Sequence, residues 1–586
     1  MKFIILKNTL IIFLLFFMEI LYSQNYQIHL AINPLNYKFN TNLDSVGITR
    51  ELKKMIHFYH LNGYIESNID SIHWDNKTAH PFIHFGHKYS IMYKYNPSDS
   101  LQDVNSKFNF QNTSLDSQQI ILQIKKVLNE LENNGYPFAI FKIDSVIQTN
   151  EKLILNYSLN KEQYFVYDSL HKDGNVQVKK KFLEAVTGMK EGKPYNEKEF
   201  LKAQSRLNQL PFLYSERAPI MAFMTGGKAR PYYVLNKRKS DQVNALIGLA
   251  PSSGNNKQNV VFTGEFLLKL NHLFQSGKQF SLNWRSFQAR SQDLKSHVNL
   301  PYLMNRPIGI NAAIELIKYD TIFTTFQRQI GFQYYTSGIN GLSFFYQVHS
   351  TNLNTIDTQK IRNTKQFPIT NAMLNKQYGI AFNFNFLDQL FNPRKGWQLE
   401  GAFSAGRKEI LKETAIEKIK FYDGNQYYTL YDSNQLVFNQ FRLKFQGDVF
   451  FPIFQKSTIK LGIKAEHLIA PTIYFNETIR TGGINSLKGF NEQSIFATNF
   501  NLLELEYRYI LGQNSFVRAF WNGAYYEDRT INQNGLITDT PWGFGVGANI
   551  ETKAGILNII YALGKEKNNS FDFRTGKIHF GISSYF

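Results

Sequence analysis

Phe441-Arg442-Leu443-Lys444-Phe445-Gln446 and Ile459-Lys460-Leu461-Gly462-Ile463-Lys464-Ala465-Glu466 alternate, residue by residue, between apolar and mostly polar or charged side chains. A strand turns successive side chains to opposite faces, so each segment carries one apolar face and one hydrophilic face. The same dyad recurs at Phe280, Leu282 and Trp284 against Ser281, Asn283 and Arg285, and at Ile380, Phe382, Phe384 and Phe386 against Ala381, Asn383 and Asn385. From Asp241 to Phe586 such segments are punctuated by Gly, Asn, Asp and Ser turns. So many Phe and Leu residues set beside charges suit a wall with lipid on one side and water on the other, more than a soluble sandwich. The reading is a membrane β-barrel of about 16 antiparallel strands over residues 241–586.

Composition agrees. Aromatic residues make up 15% of the 586, with 51 Phe and 33 Tyr, yet the mean hydropathy is only −0.32, too polar for a bundle of membrane helices. Cysteine is absent, which excludes disulfides, thiolate chemistry, cysteine-based metal sites and acylation at an N-terminal cysteine. The formal charge of +19 raises the question of nucleic acid. The basic residues are dispersed, however, no run exceeding three, as at Lys179-Lys180-Lys181, and no base-reading motif accompanies them. The charges are assigned instead to the lumen wall and the periplasmic face, available to acidic lipid head groups or unfolded proteins, with no nucleic-acid partner expected.

Lys2 and Lys7 precede the apolar run Leu10 to Met18, and Leu21-Tyr22-Ser23 offers a cleavage site before Gln24. Residues 1–23 are therefore expected to be a secretory signal. No later run reaches the ~18 apolar residues of a membrane helix, so a membrane-embedded chain must close its backbone hydrogen bonds as a barrel.

Between signal and barrel the chain repeats itself. Asn62-Gly63-Tyr64 and Asn134-Gly135-Tyr136 each follow an amphipathic segment. Ile48, Leu52, Met55, Ile56 and Tyr59 form one helical stripe; Ile120, Ile121, Ile124, Val127, Leu128 and Leu131 form the other. Gly63 and Gly135 stand where a helix end calls for a left-handed residue. Strand patterns follow: Ile83, Phe85, Tyr89, Ile91, Tyr93 and Tyr95, broken at Gly86, then Leu153, Leu155, Tyr157, Leu159, Tyr164 and Val166. A third, less regular unit begins near Gln163. Its helices are expected around Phe182 to Val186 and Glu197 to Leu210, closed by Pro211, with strands at Leu213 to Met221 and Pro231 to Leu235. The order of elements in units of about 70 residues resembles the POTRA domains of outer-membrane assembly and secretion proteins. The expected division is 24–98, 99–162 and 163–240, giving an α+β POTRA-like periplasmic region ahead of the barrel. The resemblance implies that exposed sheet edges receive unfolded client strands by β-augmentation.

One motif narrows the class further. Ile479-Arg480-Thr481-Gly482-Gly483-Ile484-Asn485-Ser486-Leu487-Lys488-Gly489-Phe490 resembles the inward-folded loop of the BamA/TamA family and its two-partner-secretion relatives. There the tip is usually Arg-Gly-Phe or Arg-Gly-Tyr; here Lys488 stands in the arginine's place before Gly489 and Phe490. Lysine offers a point charge where arginine offers a planar fork, so a looser hold on a carboxylate is expected. In the next strand, Leu503, Leu505, Tyr507 and Tyr509 would face lipid, placing Glu504, Glu506 and Arg508 on the lumen side, with Glu504 and Glu506 as candidate partners of Lys488. Asp388-Gln389-Leu390-Phe391-Asn392-Pro393-Arg394-Lys395-Gly396 resembles the Asn-Pro-x-x-Gly turn between mid-barrel strands of the same superfamily. The last strand, with Gly581 and the terminal Phe586, resembles the insertion signal of outer-membrane barrels, Ser584 replacing a bulky apolar residue.

No Gly-x-Ser-x-Gly elbow, Gly-x-x-x-x-Gly-Lys loop or His-Glu-x-x-His helix occurs. His57 with His60 and His84 with His87 lack further ligands and are read as surface groups. No catalytic residues, cofactor or metal are expected. The resemblance implies an outer-membrane assembly, insertion or translocation factor of a Gram-negative cell. Its partners would be unfolded outer-membrane or secreted clients, outer-membrane lipids and accessory periplasmic or lipoprotein subunits. The first and last strands, near Val243 to Leu249 and Ile578 to Phe586, would part to template client strands. A two-partner-secretion-type export pore and a passive porin or structural barrel are the alternatives.

Overall fold

The computed structural model describes residues 27–30, 33–39, 45–75, 78–95, 117–150, 152–251, 260–288, 290–389, 392–483, 486–531, 535–552, 555–566 and 576–585. The expected signal segment and Phe586 lie outside them. The described residues form two compact units, one drawn from 27–167 with 192–198 and 223–229, the other from 168–191 with 199–222 and 230–585.

In the first unit the same small fold is built twice. Helix Ser45–Leu61 lies on a sheet in which Gln27–Ile28 runs parallel to Thr78–His84, which pairs antiparallel with Asn68–Asp75. Its apolar stripe, Ile48, Leu52, Met55 and Tyr59, has no exposed surface. Helix Ser117–Glu132 accompanies the equivalent sheet, Ser90–Tyr95 parallel to Lys152–Asn160 and that strand antiparallel to Ile140–Gln148. Val127 and Leu131 are buried, whereas Ile121 at the outer margin of the stripe is half exposed. The repetition extends to the joints: Tyr89 N–H donates to Gly63 O and Phe165 N–H to Gly135 O, both at 2.8 Å. The strand Ser90–Tyr95, assigned by alternation to the first repeat, thus belongs to the second sheet. Alternation identifies a strand but not its partner, and the break at Gly86 marks the passage between sheets. His57, His84 and His87 are exposed and His60 faces Ser67 O at 2.9 Å.

The chain goes on through helices Lys180–Thr187 and Glu197–Asn208 and short strands beside Lys228–Lys237, which pairs parallel with His171–Asp173 and antiparallel with Leu213–Ser215. Arg206 fastens the end of the first helix, donating to Thr187 O at 2.6 Å while pairing with Glu199.

The remainder is a closed barrel of 16 antiparallel strands, from Gln242–Pro251 to Lys577–Tyr585. Short turns such as 274–277 and 511–515 gather at one end, called here the turn end; connections 354–372, 411–436 and 470–498 gather at the other, the loop end. The apolar phase of the alternation faces outward: Leu503, Leu505, Tyr507 and Tyr509 are each more than two-fifths exposed, while Glu504, Glu506 and Arg508 between them are buried in the lumen. Among the described residues no helix is long and apolar enough to cross a membrane; strands of up to 18 residues, as in Val437–Phe454, exceed the ~9–11 that a tilted strand needs.

Candidate functional site

The connection 470–498 leaves strand Ser457–Ile469, turns into the barrel as a hairpin of Ile479–Thr481 on Ile495–Ala497, and returns to strand Asn499–Ile510. Gly482 and Gly483, both with φ near +100°, begin the tip. Ser486 Oγ accepts from Gly482 N at 2.9 Å, and Leu487 O accepts from Gly483 N at 3.2 Å. Leu487 and Phe490 are buried among Ile495, Phe500, Leu502 and Ala524, so the tip is held by apolar burial as well as by polar contacts.

Between those two apolar residues, Lys488 and Gly489 press their backbone against the wall on a single rung of the barrel. Gly462, Glu504, Asn522, Gly543 and Gly564 stand opposite one another in sequence of strands. The glycines at the end of that rung make the slot: a Cβ on Gly543 would lie 2.4 Å from Lys488 O, and one on Gly564 would lie 2.7 Å from Gly489 O. Gly489 itself has φ +96°, and a Cβ there would meet the Leu563–Gly564 peptide within 2.8 Å. Asn522, with no exposed surface, closes the slot by accepting from Lys488 N at 3.1 Å and donating to Lys488 O and Gly543 O at 3.3 Å each.

The Lys488 ammonium donates to one oxygen of Glu504 and lies 5.1 Å from the Phe520 ring centroid. The other oxygen of Glu504 accepts from Lys460 at 3.0 Å, and Lys460 in turn reaches Asp448 at 3.0 Å. A carboxylate between two ammonium groups, both out of bulk water, is a charge-assisted cluster whose geometry is fixed by the wall. Glu506 is engaged elsewhere, by Arg508 Nε at 2.5 Å and Arg518 Nη1 at 3.5 Å, and does not meet Lys488. Gly482, Gly483, Lys488, Gly489, Phe490 and Glu504 are therefore brought together; Glu506 forms a neighbouring cluster, and Gly581 lies in the last strand with open space beside it. Asn522, Lys460, Gly543 and Gly564 went unrecognised in the sequence. One signal was available: in Trp542-Gly543-Phe544-Gly545-Val546-Gly547 every lumen position is a glycine, as a wall needs where another backbone approaches closely.

The turn Asp388–Gly396 joins strands Met373–Asn385 and Gly396–Ile410 at the turn end. Asp388 Oδ1 accepts from Arg394 N and Lys395 N at 2.9 and 3.1 Å.

Among the pairs of barrel strands the seam has the shortest ladder. Strand Gln242–Pro251 is paired along all its length with Val260–Leu273, but meets the last strand only where Gln242 stands opposite Tyr585 and Val243 opposite Ser584. Among the described residues, the backbone from Asn244 onward has no ladder on that side.

Among solved structures, CdiB from Acinetobacter baumannii aligns over 93% of this chain and 100% of its own at 13% identity, with a TM-score of 0.54. CdiB from Escherichia coli aligns over 92% and 98% at 12% identity, with a TM-score of 0.53. BamA from Haemophilus ducreyi lacking POTRA domains 1–3 aligns over 86% and 100% at 13% identity, with a TM-score of 0.43. No family model and no curated protein sequence matches. At this identity the likeness is one of fold: the chain shares the CdiB architecture.

Proposed function

We propose that this chain is an outer-membrane protein of a Gram-negative cell that captures unfolded client proteins on POTRA-like periplasmic repeats and passes them to the barrel seam for insertion or translocation. The observation that carries the reading is the seam itself. A barrel built only for stability would zip its first and last strands along their length, because unpaired backbone groups facing lipid cost several kcal/mol each by the usual order of magnitude. Here two residue pairs close the seam, and the unpaired edge beyond them is a template to which a client strand can add. No nucleotide or metal enters the mechanism: client folding and burial of its apolar face against lipid supply the driving force. Outer-membrane lipids and accessory periplasmic or lipoprotein subunits are the further partners this reading calls for.

The chain has no cysteine, so Val243→Cys with Ser584→Cys gives a single defined crosslink at facing positions. Oxidised protein in proteoliposomes should lose client insertion and regain it on reduction. Export through the lumen is the second reading, favoured by a cavity of about 420 Å³ in the barrel wall region of Asn383, Lys444 and Gln446. Clients handled at full rate by the locked barrel would overturn the seam reading in favour of that one. Outer-membrane proteomics after depletion separates a general insertase, losing many barrels, from a dedicated factor, losing one or a few.

A further inference from the structure

The inward loop has a second point of attachment, far from its tip. On leaving strand Ser457–Ile469 it makes a turn at Phe475–Glu477 before the hairpin begins. Glu477 is buried there against Lys408 of strand Gly396–Ile410, whose side chain has no exposed surface. The ammonium donates to both Glu477 oxygens, at 2.9 and 3.2 Å, and to Thr472 O at 2.5 Å, and it lies 5.5 and 5.6 Å from the rings of Phe438 and Tyr474. Glu477 also accepts from Tyr474 N at 2.9 Å and from Gln440 Nε2 at 2.6 Å. Beside it, Asn371 N–H donates to Asn476 Oδ1 and Asn476 Nδ2 to Asn371 O, at 3.0 and 3.1 Å.

Gln440 ends a chain of carboxamides that crosses the lumen wall. Gln347 donates to Gln377 at 2.5 Å, Gln377 to Gln440 at 3.2 Å, and Gln440 to Glu477. Every amide N–H points toward the carboxylate, so the dipoles add and the negative charge is stabilised from the wall as well as by Lys408. A lumen needs only to be polar. Taking both charges wholly out of water and aligning a ladder of amides on one of them is costly for stability and effective for fixing a single arrangement.

We propose that Lys408 and Glu477 are positioning residues that hold the base of the inward loop against the barrel wall independently of the Lys488–Glu504 contact at its tip, and so keep the lumen closed at the loop end. The proposal concerns how the loop is held and stands whichever route clients take.

The test uses the full-length chain in proteoliposomes with one cysteine at buried Ile473 (Ile473→Cys), beside the latch, labelled by a water-soluble maleimide. Lys408→Met should raise the labelling rate at least tenfold and the bilayer conductance at least threefold, with Lys488→Met leaving labelling at this position within twofold of the parent. Lys408→Arg, which keeps a cation against Glu477 and Thr472 O, should hold labelling within threefold of the parent rate, which a role as mere core filling does not predict. If Lys408→Met does not fold, Gln440→Leu takes its place, with a threefold rise in labelling expected. Folded variants labelled at the parent rate overturn the proposal.

Discussion

Glu504 is shared by two lysines, Lys488 from the loop tip on one oxygen and Lys460 from the neighbouring strand on the other. That sharing explains how a lysine serves at a position where the resembling family usually has arginine. Two point charges, one on the loop and one on a strand, define the carboxylate's plane together, as one planar guanidinium would alone.

Removing the loop's share should therefore be tolerated better than reversing it. Lys488→Met leaves Glu504 still bonded to Lys460, so a loss of about 1–3 kcal/mol is expected, below the ~3–5 kcal/mol of a buried charge with no partner. Lys488→Glu sets two carboxylates in contact, and should expel the tip and abolish client handling. Urea midpoints and heat-modifiable electrophoretic mobility report the first; an active, normally folded Lys488→Glu protein would sink the tip assignment.

Asn522 serves the backbone of Lys488 at both its N–H and its C=O. Asn522→Leu strands both groups in a dry slot, at about 1–3 kcal/mol each. Asn522→Asp keeps the acceptor but turns the donating edge into a second acceptor facing Lys488 O and Gly543 O. Both variants should therefore be less stable than the parent and hold the tip more loosely. Urea midpoints and protease cleavage at the tip test this; parent-like values for folded Asn522→Leu contradict it.

The glycine slot makes a purely steric prediction. Gly543 has an ordinary φ, so Gly543→Ala introduces no left-handed backbone strain; its methyl would lie 2.4 Å from Lys488 O, the tightest contact, and 2.9 Å from Leu563 O on the neighbouring strand. Overpacking of this kind costs about 1–3 kcal/mol, and here the cheapest relief is for the loop tip to withdraw. Protease cleavage at the tip should accelerate while strand content by circular dichroism is unchanged. Gly512→Ala, in a short turn at the other end of the barrel where φ is not positive and a Cβ would meet nothing nearer than Ser515 Cβ at 3.7 Å, is the matched control and should behave as the parent.

These residues also mark where sequence reading stops. That Glu504 faces the lumen followed from Leu503, Leu505, Tyr507 and Tyr509 alone, because a strand has only two faces. That Lys460 reaches Glu504 did not follow, since its facing residue on the next strand is Glu506 and the contact runs diagonally, through the space left by Gly462. Register across neighbouring strands depends on the turns and tilt of the whole barrel, so Asn522, Lys408 and Gln440 were legible as lumen residues but not as partners. The same limit put Ser90–Tyr95 in the wrong sheet.

Strand Ile140–Gln148 forms the free edge of the second repeat's sheet among the described residues, and it is unusual in exposing Ile140, Ile143, Val146 and Ile147, each more than two-fifths accessible. The matching edge of the first repeat, Asn68–Asp75, instead exposes Asp70, Ser71 and His73, with Trp74 its one exposed large apolar side chain. A client strand gains backbone hydrogen bonds at either edge, but gains more apolar contact at the second. Clients should therefore dock on the second repeat. Ile143→Lys with Val146→Lys places charges on an exposed edge, which blunts strand addition while changing stability by no more than about 0.5 kcal/mol. Binding of a synthetic alternating peptide ending in Phe, followed by fluorescence anisotropy on the full-length protein, should weaken at least tenfold. Ser71→Lys with His73→Lys on the first repeat should leave it within twofold. Equal losses from the two pairs would mean that added positive charge alone, rather than the apolar edge, governs capture.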